Sequence, residues 1–335
     1  MKNPRKILLV RPDRLGDMIL SLPVAETLKT RLAQSEIHYL ASPYTARLSS
    51  MVDYVDGWLL DDDGHGGRLS LSELVGKIKA GRFDCLIDLK ASWRTSAAGF
   101  LSGTALRIGT SRRAYSLFYS ARVNVHRKAS GFHQTDLDLA HLRPLDIIVS
   151  GIPPRFNVTA RGKASAEKLM NLAGKPYIVI HPGSGGSSPN WPIDNYRRLA
   201  ELFLTATDFG VVITNRDKSM AEFDNCVNIG GKTDLETLAG VIGSARLFIS
   251  GSTGPLHMAD ALGTKCLSFF ARRADIGPAR WGPRRNQDGV ILPENECDCG
   301  SPGSCRCLET VTVEKAFNKA ENLLRAKKSA AFGKK

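Results

Sequence analysis

Short runs of apolar residues alternate along this chain with segments in which apolar residues recur every three or four positions. Apolar runs bounded by polar residues or glycine predict buried strands, and the recurring pattern predicts amphipathic helices. The predicted strands are residues 7–10, 37–40, 85–89, 106–108, 123–125, 177–180, 211–214, 247–249, 267–270 and 290–292. The predicted helices are residues 18–33, 71–80, 196–205, 235–242, 256–262 and 313–325. This alternation predicts an α/β fold in which helices connect parallel strands.

The pattern loosens between residues 143 and 175, where prolines and glycines interrupt it. Such residues commonly mark a boundary between domains. A chain of 335 residues is long enough to form two hydrophobic cores. We therefore predict two doubly wound domains, residues 1–155 and residues 156–335.

The composition is that of a folded protein, with 42% hydrophobic and 24% charged residues. The basic start of the chain resembles a signal peptide, but the apolar run after it ends at Arg11. No run approaches the roughly 18 apolar residues that a membrane span needs. We expect a cytoplasmic protein.

The formal net charge of +13 indicates an anionic partner, which could be nucleic acid, a membrane surface or a phosphorylated substrate. Between Lys90 and Gln134 there are eight Lys or Arg residues, no Asp or Glu, and several interspersed aromatic residues. This acid-free segment predicts an anion-binding surface. Its basic residues are Lys90, Arg94, Arg107, Arg112, Arg113, Arg122, Arg127 and Lys128.

Two polar loops that contain glycine follow predicted strands in the second half of the chain. One runs from His181 to Ser188, and the other runs from Ser250 to Gly254, where a helix is predicted to begin. Glycine lets the backbone approach a ligand, and free N–H groups at a helix start favour an anion. A diphosphate could lie between the loops, although an ordinary helix N-cap also explains the second one. The candidate residues are Ser184, Gly185, Ser187, Ser188, Ser252, Thr253 and Gly254.

Two other kinds of nucleotide site are disfavoured because glycines are missing. The segment Asn228–Thr233 looks like a Walker motif, but Cys226 stands where that motif needs glycine, and Thr233-Asp234 better fits a helix cap. No Gly-x-Gly-x-x-Gly follows the first predicted strand, which argues against a nicotinamide-dependent dehydrogenase.

Four of the seven cysteines form the pairs Cys297-x-Cys299 and Cys305-x-Cys307. Four converging thiolates could hold a structural zinc or another thiophilic metal. A catalytic metal is disfavoured, because four protein ligands leave no open position. Disulfides are disfavoured in a cytoplasmic protein, and reduced thiols without a metal are the alternative.

Four motifs in this order together resemble glycosyltransferase family 9, the lipopolysaccharide heptosyltransferases. They are the start Lys6-Ile-Leu-Leu-Val-Arg-Pro-Asp-Arg-Leu-Gly-Asp17, the loop His181-Pro-Gly-Ser with Asn190-Trp-Pro192, the segment Gly230-Gly-Lys-Thr233, and Ser252-Thr-Gly-Pro-Leu-His257. Arg280-Trp-Gly-Pro283 fits the family as well. The resemblance implies a GT-B architecture, in which two Rossmann-like domains face a central cleft. It also implies that the helix at about 313–325 packs back on the first domain.

The resemblance implies an inverting transfer of heptose from ADP-heptose, without a cofactor, to a phosphorylated, lipid-linked inner-core acceptor at the inner-membrane face. Asp13 matches the proposed base, whereas Asp17 is interpreted as a turn or cap carboxylate. His257 matches a position near the donor, which the second domain is implied to bind. The expected acceptor-binding residues are Lys90, Arg94, Arg112 and Arg113.

One position departs from the family pattern. Pro189 stands where relatives commonly carry a lysine directed at the donor phosphates, and Arg272 or Arg273 could take its place. Three alternatives therefore remain: a member that uses another sugar nucleotide, a non-catalytic binding module of the same fold, and a nucleic-acid-binding protein. The last is supported only by charge and aromatic residues.

Overall fold

The computed structural model describes residues 3–125, 131–170, 174–184, 186, 188–215, 223–297, 299 and 305–326. The chain divides into two units. The first comprises Met1–Thr159 and Ala279–Arg284, and the second comprises Ala160–Pro278 and Arg285–Lys335. The return of residues 279–284 to the first unit is not apparent in the sequence.

The sheet of the first unit has six parallel strands. They are β1 (Lys6–Val10), β2 (Glu36–Ala41), β3 (Gly57–Leu60), β4 (Cys85–Asp88), β5 (Leu106–Thr110) and β6 (Ala121–Val123). The order β3-β2-β1-β4-β5-β6 makes the neighbours β1 and β4 the point where the strand order reverses. In sheets of this kind, ligands bind at the carboxyl ends of the strands at that point.

Five α-helices lie among the described residues between 3 and 159 of the first unit. They are α1 (Leu15–Arg31), α2 (Pro43–Ala46), α3 (Leu71–Gly81), α4 (Trp93–Leu101) and α5 (Gln134–Leu139). The sequence favours the starts of α3 and α4, because the Ser70 and Ser92 hydroxyls accept hydrogen bonds from backbone N–H groups in the first turns. Three 3-10 helices are present at Arg47–Met51, Ala114–Phe118 and Ala140–Leu145.

The second unit repeats this plan with another six-stranded parallel sheet. Its strands are β7 (Tyr177–His181), β8 (Gly210–Ile213), β9 (Val227–Asn228), β10 (Leu247–Gly251), β11 (Cys266–Phe269) and β12 (Val290–Ile291). The order β12-β11-β10-β7-β8-β9 places the reversal between β7 and β10. The two loops predicted to bind a diphosphate follow these two strands.

The remaining α-helices are α6 (Ala160–Met170), α7 (Ile193–Ala206), α8 (Leu235–Gly243), α9 (Gly254–Ala261), α10 (Pro278–Trp281) and α11 (Val313–Arg325). Short 3-10 helices lie at Gln287–Gly289 and Cys307–Thr310. Within the described ranges, the helices are too short or too polar to cross a bilayer.

The last helix, α11, packs on the core of the second unit. Its apolar residues Val313, Ala316 and Ala320 are buried in the core that also contains α7 and the strands of the second sheet. The spacing of these residues gives α11 one apolar face, which packs against this core. Trp191 lies in the same core, where its ring stacks on Phe269 at 4.3 Å and its Nε1 donates to the Val311 carbonyl.

The structure confirms the predicted α/β fold, but the sequence pattern missed the strands β3 and β9 and the helices α2, α4, α5, α6 and α10. Helix α6 is polar overall, and its buried residues are Gly162, Ala166 and Met170. Because two of these three residues are small, the sequence shows no distinct apolar face for this helix. Strand β3 has no fully buried residue, and β9 has two residues. The pattern therefore failed where burial is slight or where the buried side chains are small.

Candidate active site

The carboxyl end of β1 delivers a buried arginine to the reversal point of the first sheet. Arg11 is 1% exposed, and its Nη1 donates to the Leu89 carbonyl at 2.8 Å. Its Nη2 donates to the Asp138 carboxylate at 3.0 Å. The guanidinium group therefore links the ends of β1 and β4 to α5.

Three carboxylates surround this guanidinium group. Besides Asp138, Asp13 Oδ1 lies 3.6 Å from Arg11 Nε, and Asp17 Oδ1 lies 3.6 Å from Arg11 Nη2. Burial opposes the charged form of Arg11, but the three carboxylates outweigh burial and raise the pKa of the guanidinium group. Arg11 is thus a fixed positive charge.

Asp13, the predicted base, occupies the turn after β1. Its Oδ2 accepts a hydrogen bond from Lys90 Nζ at 3.1 Å, so two residues that the sequence assigned to different roles are in contact. Its Oδ1 is buried and has no hydrogen-bond partner among the described residues. The side chain is 9% exposed. A carboxylate oxygen without a donor keeps its lone pairs available to accept a proton.

Asp17 does not cap a helix as the sequence interpretation proposed. The N-cap position of α1 is occupied by Arg14, and Asp17 lies in the first helical turn. Its side chain is 24% exposed, more than that of Asp13. Because both carboxylates face Arg11, Asp17 is a second candidate for a proton acceptor.

Asp13 and Lys90 line a pocket of about 450 Å³ within the first unit. Two further cations, Arg14 and Arg68, and two further carboxylates, Asp61 and Asp62, contribute to its lining. Ser42 from the loop after β2 also lines it. Cations beside a carboxylate suit an anionic ligand that also carries a hydroxyl group to be deprotonated.

The buried carboxylate of Asp88 holds the loop that presents Lys90. It accepts hydrogen bonds from the Ala91 N–H at 2.8 Å and from the Tyr119 hydroxyl at 2.8 Å. Burial and the Asp88 charge raise the pKa of Tyr119, so its hydroxyl stays a neutral donor. The Tyr115 hydroxyl donates to the Ala91 carbonyl, where the backbone has a φ of +56°. The loop is therefore fixed from both sides.

The other predicted acceptor-binding residues differ in position. Arg94 donates to both Asp61 oxygens, at 2.9 and 2.6 Å, and to the Leu69 carbonyl, so it supports the pocket wall instead of lining it. Arg112 and Arg113 are exposed in the segment after β5. Arg127 and Lys128 lie outside the described residues.

A chain of hydrogen bonds extends from Arg11 to the returning segment 279–284. Gln134 Nε2 donates to Asp138 at 2.9 Å, and Arg280 Nη2 donates to the Gln134 side-chain oxygen at 3.1 Å. His133 Nε2 lies 2.8 Å from the Gly282 carbonyl oxygen, and burial lowers the pKa of His133 to about 4. The segment is thus bound along α5, and its contacts reach the Arg11 cluster.

The second unit brings the two predicted anion loops together, because β7 and β10 are neighbours with His181 beside Ser250. The Ser188 hydroxyl donates to the Ser252 carbonyl at 2.9 Å, and the Ser184 hydroxyl donates to the Ser188 carbonyl at 3.1 Å. Both hydroxyls therefore shape the loops. Gly185 and Ser187 lie outside the described residues.

Thr253 is the N-cap of α9, which was the alternative interpretation of this residue. Its hydroxyl accepts a hydrogen bond from the Leu256 N–H at 3.3 Å, and Gly254 begins the helix. His257 is buried within α9. His181 Nδ1 lies 3.0 Å from the Thr214 hydroxyl, and burial lowers the pKa of His181 to about 4, so this loop is neutral at pH 7.

The cations expected near the donor loops are bound to other groups. Arg272 donates to the Pro293 carbonyl, and Arg273 donates to Asp275 and to the Cys299 carbonyl. Lys232 Nζ donates to the Asn228 carbonyl, and Asp234 caps α8, as expected for a helix cap in place of a Walker motif. These contacts do not favour Arg272 or Arg273 as the replacement for a lysine at Pro189.

The four clustered cysteines do converge. Cys305 Sγ lies 3.1 Å from Cys297 Sγ and 3.1 Å from Cys307 Sγ. The sulfurs of Cys297, Cys299 and Cys305 all lie within 4.8 Å of one another. Burial has the largest effect in raising the pKa of Cys307, and the neighbouring thiols of Cys305 and Cys297 raise it further.

The sequence did not identify Arg11, Asp138 or Arg68 as parts of this site. Arg11 and Asp138 are 127 positions apart, and their pairing depends on where α5 packs. A signal was available for Arg11, because an arginine that directly follows a buried strand must be compensated by carboxylates. Arg68 lies in a polar loop, and nothing in the sequence distinguishes it from other surface residues.

The sequence of this chain is similar to those of known proteins. Residues 71–304 match glycosyltransferase family 9 (heptosyltransferase). An unconfirmed glycosyltransferase of Haemophilus influenzae is 26% identical over 331 residues, which cover 93% of this chain and 94% of the relative. The lipooligosaccharide heptosyltransferase 2 of Haemophilus ducreyi is 27% identical over 312 residues, which cover 85% and 88%.

A solved structure has the same fold. The Escherichia coli ADP-heptose lipopolysaccharide heptosyltransferase II matches with a TM-score of 0.78 and 19% identity, over 95% of this chain and 98% of that chain. This likeness confirms the predicted GT-B fold class with two Rossmann-like sheets.

The buried Arg11 cluster leads to a prediction about stability. Replacing Asp138 by Asn should lower the free energy of unfolding by about 3 kcal/mol, because Arg11 stays charged and loses its nearest carboxylate. Urea denaturation followed by circular dichroism measures this change. The control, Glu321→Gln, removes an exposed pair with Arg325 and should cost less than about 0.5 kcal/mol. Equal losses in the two variants would contradict the prediction.

Proposed function

We propose a specific reaction for this chain, which belongs to glycosyltransferase family 9, the heptosyltransferase family. The chain transfers heptose from ADP-heptose, with inversion, to a phosphorylated, lipid-linked inner-core acceptor of lipopolysaccharide. The names of its relatives support the sugar and the acceptor, and the Escherichia coli structure supports ADP-heptose as the donor. A lipid-linked acceptor would bring the protein to the cytoplasmic face of the inner membrane.

The main observation behind this proposal is that Asp13, which pairs with Arg11, lines a pocket that cations also line. Lys90, Arg14 and Arg68 suit the phosphates of an acceptor, and Asp13 lies among them. We assign the base to Asp13 because it lines the pocket and one of its oxygens has no donor among the described residues. Arg112 and Arg113 would extend the acceptor surface along the edge of the sheet.

In the proposed reaction, Asp13 takes the proton from the attacking acceptor hydroxyl. The hydroxyl oxygen forms a bond to the anomeric carbon of the heptose as the bond from that carbon to the ADP oxygen breaks. Attack from the opposite face inverts the anomeric configuration, and ADP leaves with the electron pair of the broken bond. Arg11 keeps Asp13 in place, and Lys90 holds its other oxygen.

The donor diphosphate is assigned to the second unit, between the loops after β7 and β10. Backbone N–H groups at the start of α9 and the Ser252 hydroxyl would bind it, and the Ser184 and Ser188 hydroxyls, which donate to loop carbonyls, would hold the loops in position. Gly185, Ser187 and Thr253 remain predicted donor-binding residues. His257, in the second turn of α9, would lie near the donor. Because Pro189 replaces the usual lysine, binding would depend mainly on neutral donors and the helix dipole.

The donor assignment predicts selective binding of adenine nucleotides. Isothermal titration of the protein with ADP, UDP, GDP and CDP should show a clear preference for ADP. A preference for another nucleotide would mean that the donor is a different sugar nucleotide, while the proposed sugar transfer would still apply. Binding of none of them would favour the non-catalytic module, and steeply salt-dependent binding of DNA or RNA in that case would favour the nucleic-acid-binding alternative.

The base assignment predicts different effects for two matched variants. Asp13→Asn should lower kcat by roughly 10²- to 10⁴-fold, because an amide cannot accept the proton. Asp17→Asn neutralises the second candidate carboxylate beside Arg11 and should change kcat by less than about tenfold. Transfer is measured with ADP-heptose and a core-truncated lipid acceptor, and titration with ADP checks that the donor still binds. The reverse ranking of the two variants would assign the base to Asp17.

We also propose that the four cysteines hold a structural metal, zinc or iron, that takes no part in transfer. A tetrahedral site with metal–sulfur bonds of about 2.3 Å needs sulfurs about 3.8 Å apart. Two observed separations are 3.1 Å, and the sulfurs of Cys297, Cys299 and Cys305 all lie within 4.8 Å of one another, so a small adjustment would admit the metal. Arg273, which donates to the Cys299 carbonyl at 2.6 Å, places a positive charge beside the thiolates. All four ligands come from the chain, so the metal would fix the segment before α11.

The metal proposal predicts about one equivalent of zinc or iron in the purified protein, measured by elemental mass spectrometry. Cys305→Ser combined with Cys307→Ser should lose the metal and lower the melting temperature. As a control, Cys85→Ser alters a buried cysteine of the first unit and should keep the metal. Metal-free protein with four titratable thiols, or with a mass that indicates a disulfide, would overturn the proposal.

A further inference from the structure

We infer that an exposed apolar and basic face of the first unit docks on the surface of an anionic lipid bilayer. The face consists of the outer side of α4 and the 3-10 helix Ala114–Phe118, and we call it the α4 face. The inference rests on the proposed function in one respect, which is that a lipid-linked acceptor must be reached at a membrane.

Large apolar side chains on the α4 face lie in solvent. Trp93 is 59% exposed and Leu117 is 75% exposed, and Phe100 and Leu101 are also exposed. Trp93 and Phe100 are seven residues apart on α4, so they share one side of the helix about 10 Å apart along its axis.

These side chains form one continuous surface with the neighbouring segment. The rings of Phe100 and Phe118 lie 5.4 Å apart, which joins α4 to the 3-10 helix that carries Leu117. The opposite side of α4 is buried through small residues, including Ala97, Ala98 and Gly99. Because small residues already pack α4 on the sheet, the large ones are not needed for the core, and such patches commonly mark interaction sites.

Positive charge surrounds this apolar surface. The Arg107 guanidinium lies 5.4 Å from the Phe100 ring centre, and Arg112, Arg113 and Arg122 are exposed. The sequence between Lys90 and Gln134 contains no Asp or Glu, so the net charge of this segment is strongly positive. Anionic headgroups attract such residues, and amphipathic aromatic side chains such as tryptophan favour the membrane interface. The charge complementarity therefore favours a bilayer over a neutral protein surface.

The α4 face begins close to the pocket. Lys90 lines the pocket, and Ser92, two residues later, caps α4 directly before Trp93. The loop between them is fixed by Asp88 and Tyr115. A bilayer in contact with Trp93 would therefore bring its headgroups near the mouth of the pocket, where a lipid-linked acceptor has to enter.

The test measures membrane binding without any acceptor present. Wild-type protein is sedimented with vesicles of phosphatidylcholine that contain about 30% phosphatidylglycerol, and with vesicles of phosphatidylcholine alone. We expect preferential binding to the anionic vesicles, which weakens when NaCl is raised from about 0.05 to about 0.5 M. The double variant Trp93→Ser/Leu117→Ser should bind about tenfold more weakly or worse.

A matched control separates the α4 face from general surface hydrophobicity. Ile148 is 82% exposed in the first unit but lies outside the acid-free segment, so Ile148→Ser should bind like the wild type. Unchanged melting temperatures show that the variants are folded. Equal binding to both kinds of vesicle, or wild-type binding by the double variant, would overturn the inference. A dimer that the double variant dissociates would also overturn it, by assigning the face to a second copy of the chain.

Failure of this inference and failure of the proposed function give different results. Transfer to a water-soluble, delipidated core oligosaccharide does not need a membrane, so the double variant should retain wild-type kcat with it. Vesicle binding by a protein that transfers no sugar would support membrane docking by the α4 face and contradict the proposed transfer reaction. Sugar transfer by a protein that does not bind vesicles would support the transfer reaction and contradict membrane docking.

Discussion

The burial of one positive charge at the end of β1 constrains much of the first unit. A guanidinium group removed from water needs hydrogen-bond acceptors on several sides, since an uncompensated buried charge costs several kcal/mol. Arg11 finds them in the Leu89 carbonyl and in three carboxylates that come from the turn after β1, from α1 and from α5. The same contacts that satisfy Arg11 therefore fix the carboxylates that are candidates for the base.

This arrangement connects distant parts of the sequence. Helix α5 supplies Asp138 to Arg11, and it binds the segment 279–284 through Gln134, Asp136 and His133. That segment is flanked on both sides by residues of the second unit, so the chain leaves the second unit, contacts the neighbourhood of Arg11 and returns.

The sequence was sufficient for those features that depend on local patterns. Apolar runs located ten of the twelve strands in the described part of the chain, because strands buried on both faces of a parallel sheet consist mostly of apolar residues. The loops after β7 and β10 were identified from glycine and serine, and α9 begins where its cap predicts. The convergence of the four cysteines followed from their close spacing.

Features that depend on tertiary packing could not be predicted in this way. Arg94 looks like any other basic residue of the acid-free segment, yet Asp61 binds it at the pocket wall. The position of Asp17 suggested a cap, but only the geometry shows that Arg14 occupies that position. The face on which α11 packs was inferred from the family and not from the residues. The structure shows that apolar residues of α11 are buried in the core of the second unit.

The two units also differ in the groups that are available to bind an anionic ligand. In the first, Lys90, Arg14 and Arg68 line the pocket, so cations are available where an acceptor would bind. In the second, Arg272 and Arg273 are bound near the cysteines and Lys232 is bound to a backbone carbonyl. A neutral hydrogen bond contributes about 1 kcal/mol, against roughly 1.5–3 kcal/mol for one from a charged donor. Replacing one charged contact by a neutral one would therefore weaken diphosphate binding by about tenfold. A weakly held diphosphate would also leave easily once transfer is complete, which suits the proposed reaction, in which ADP would be the leaving group.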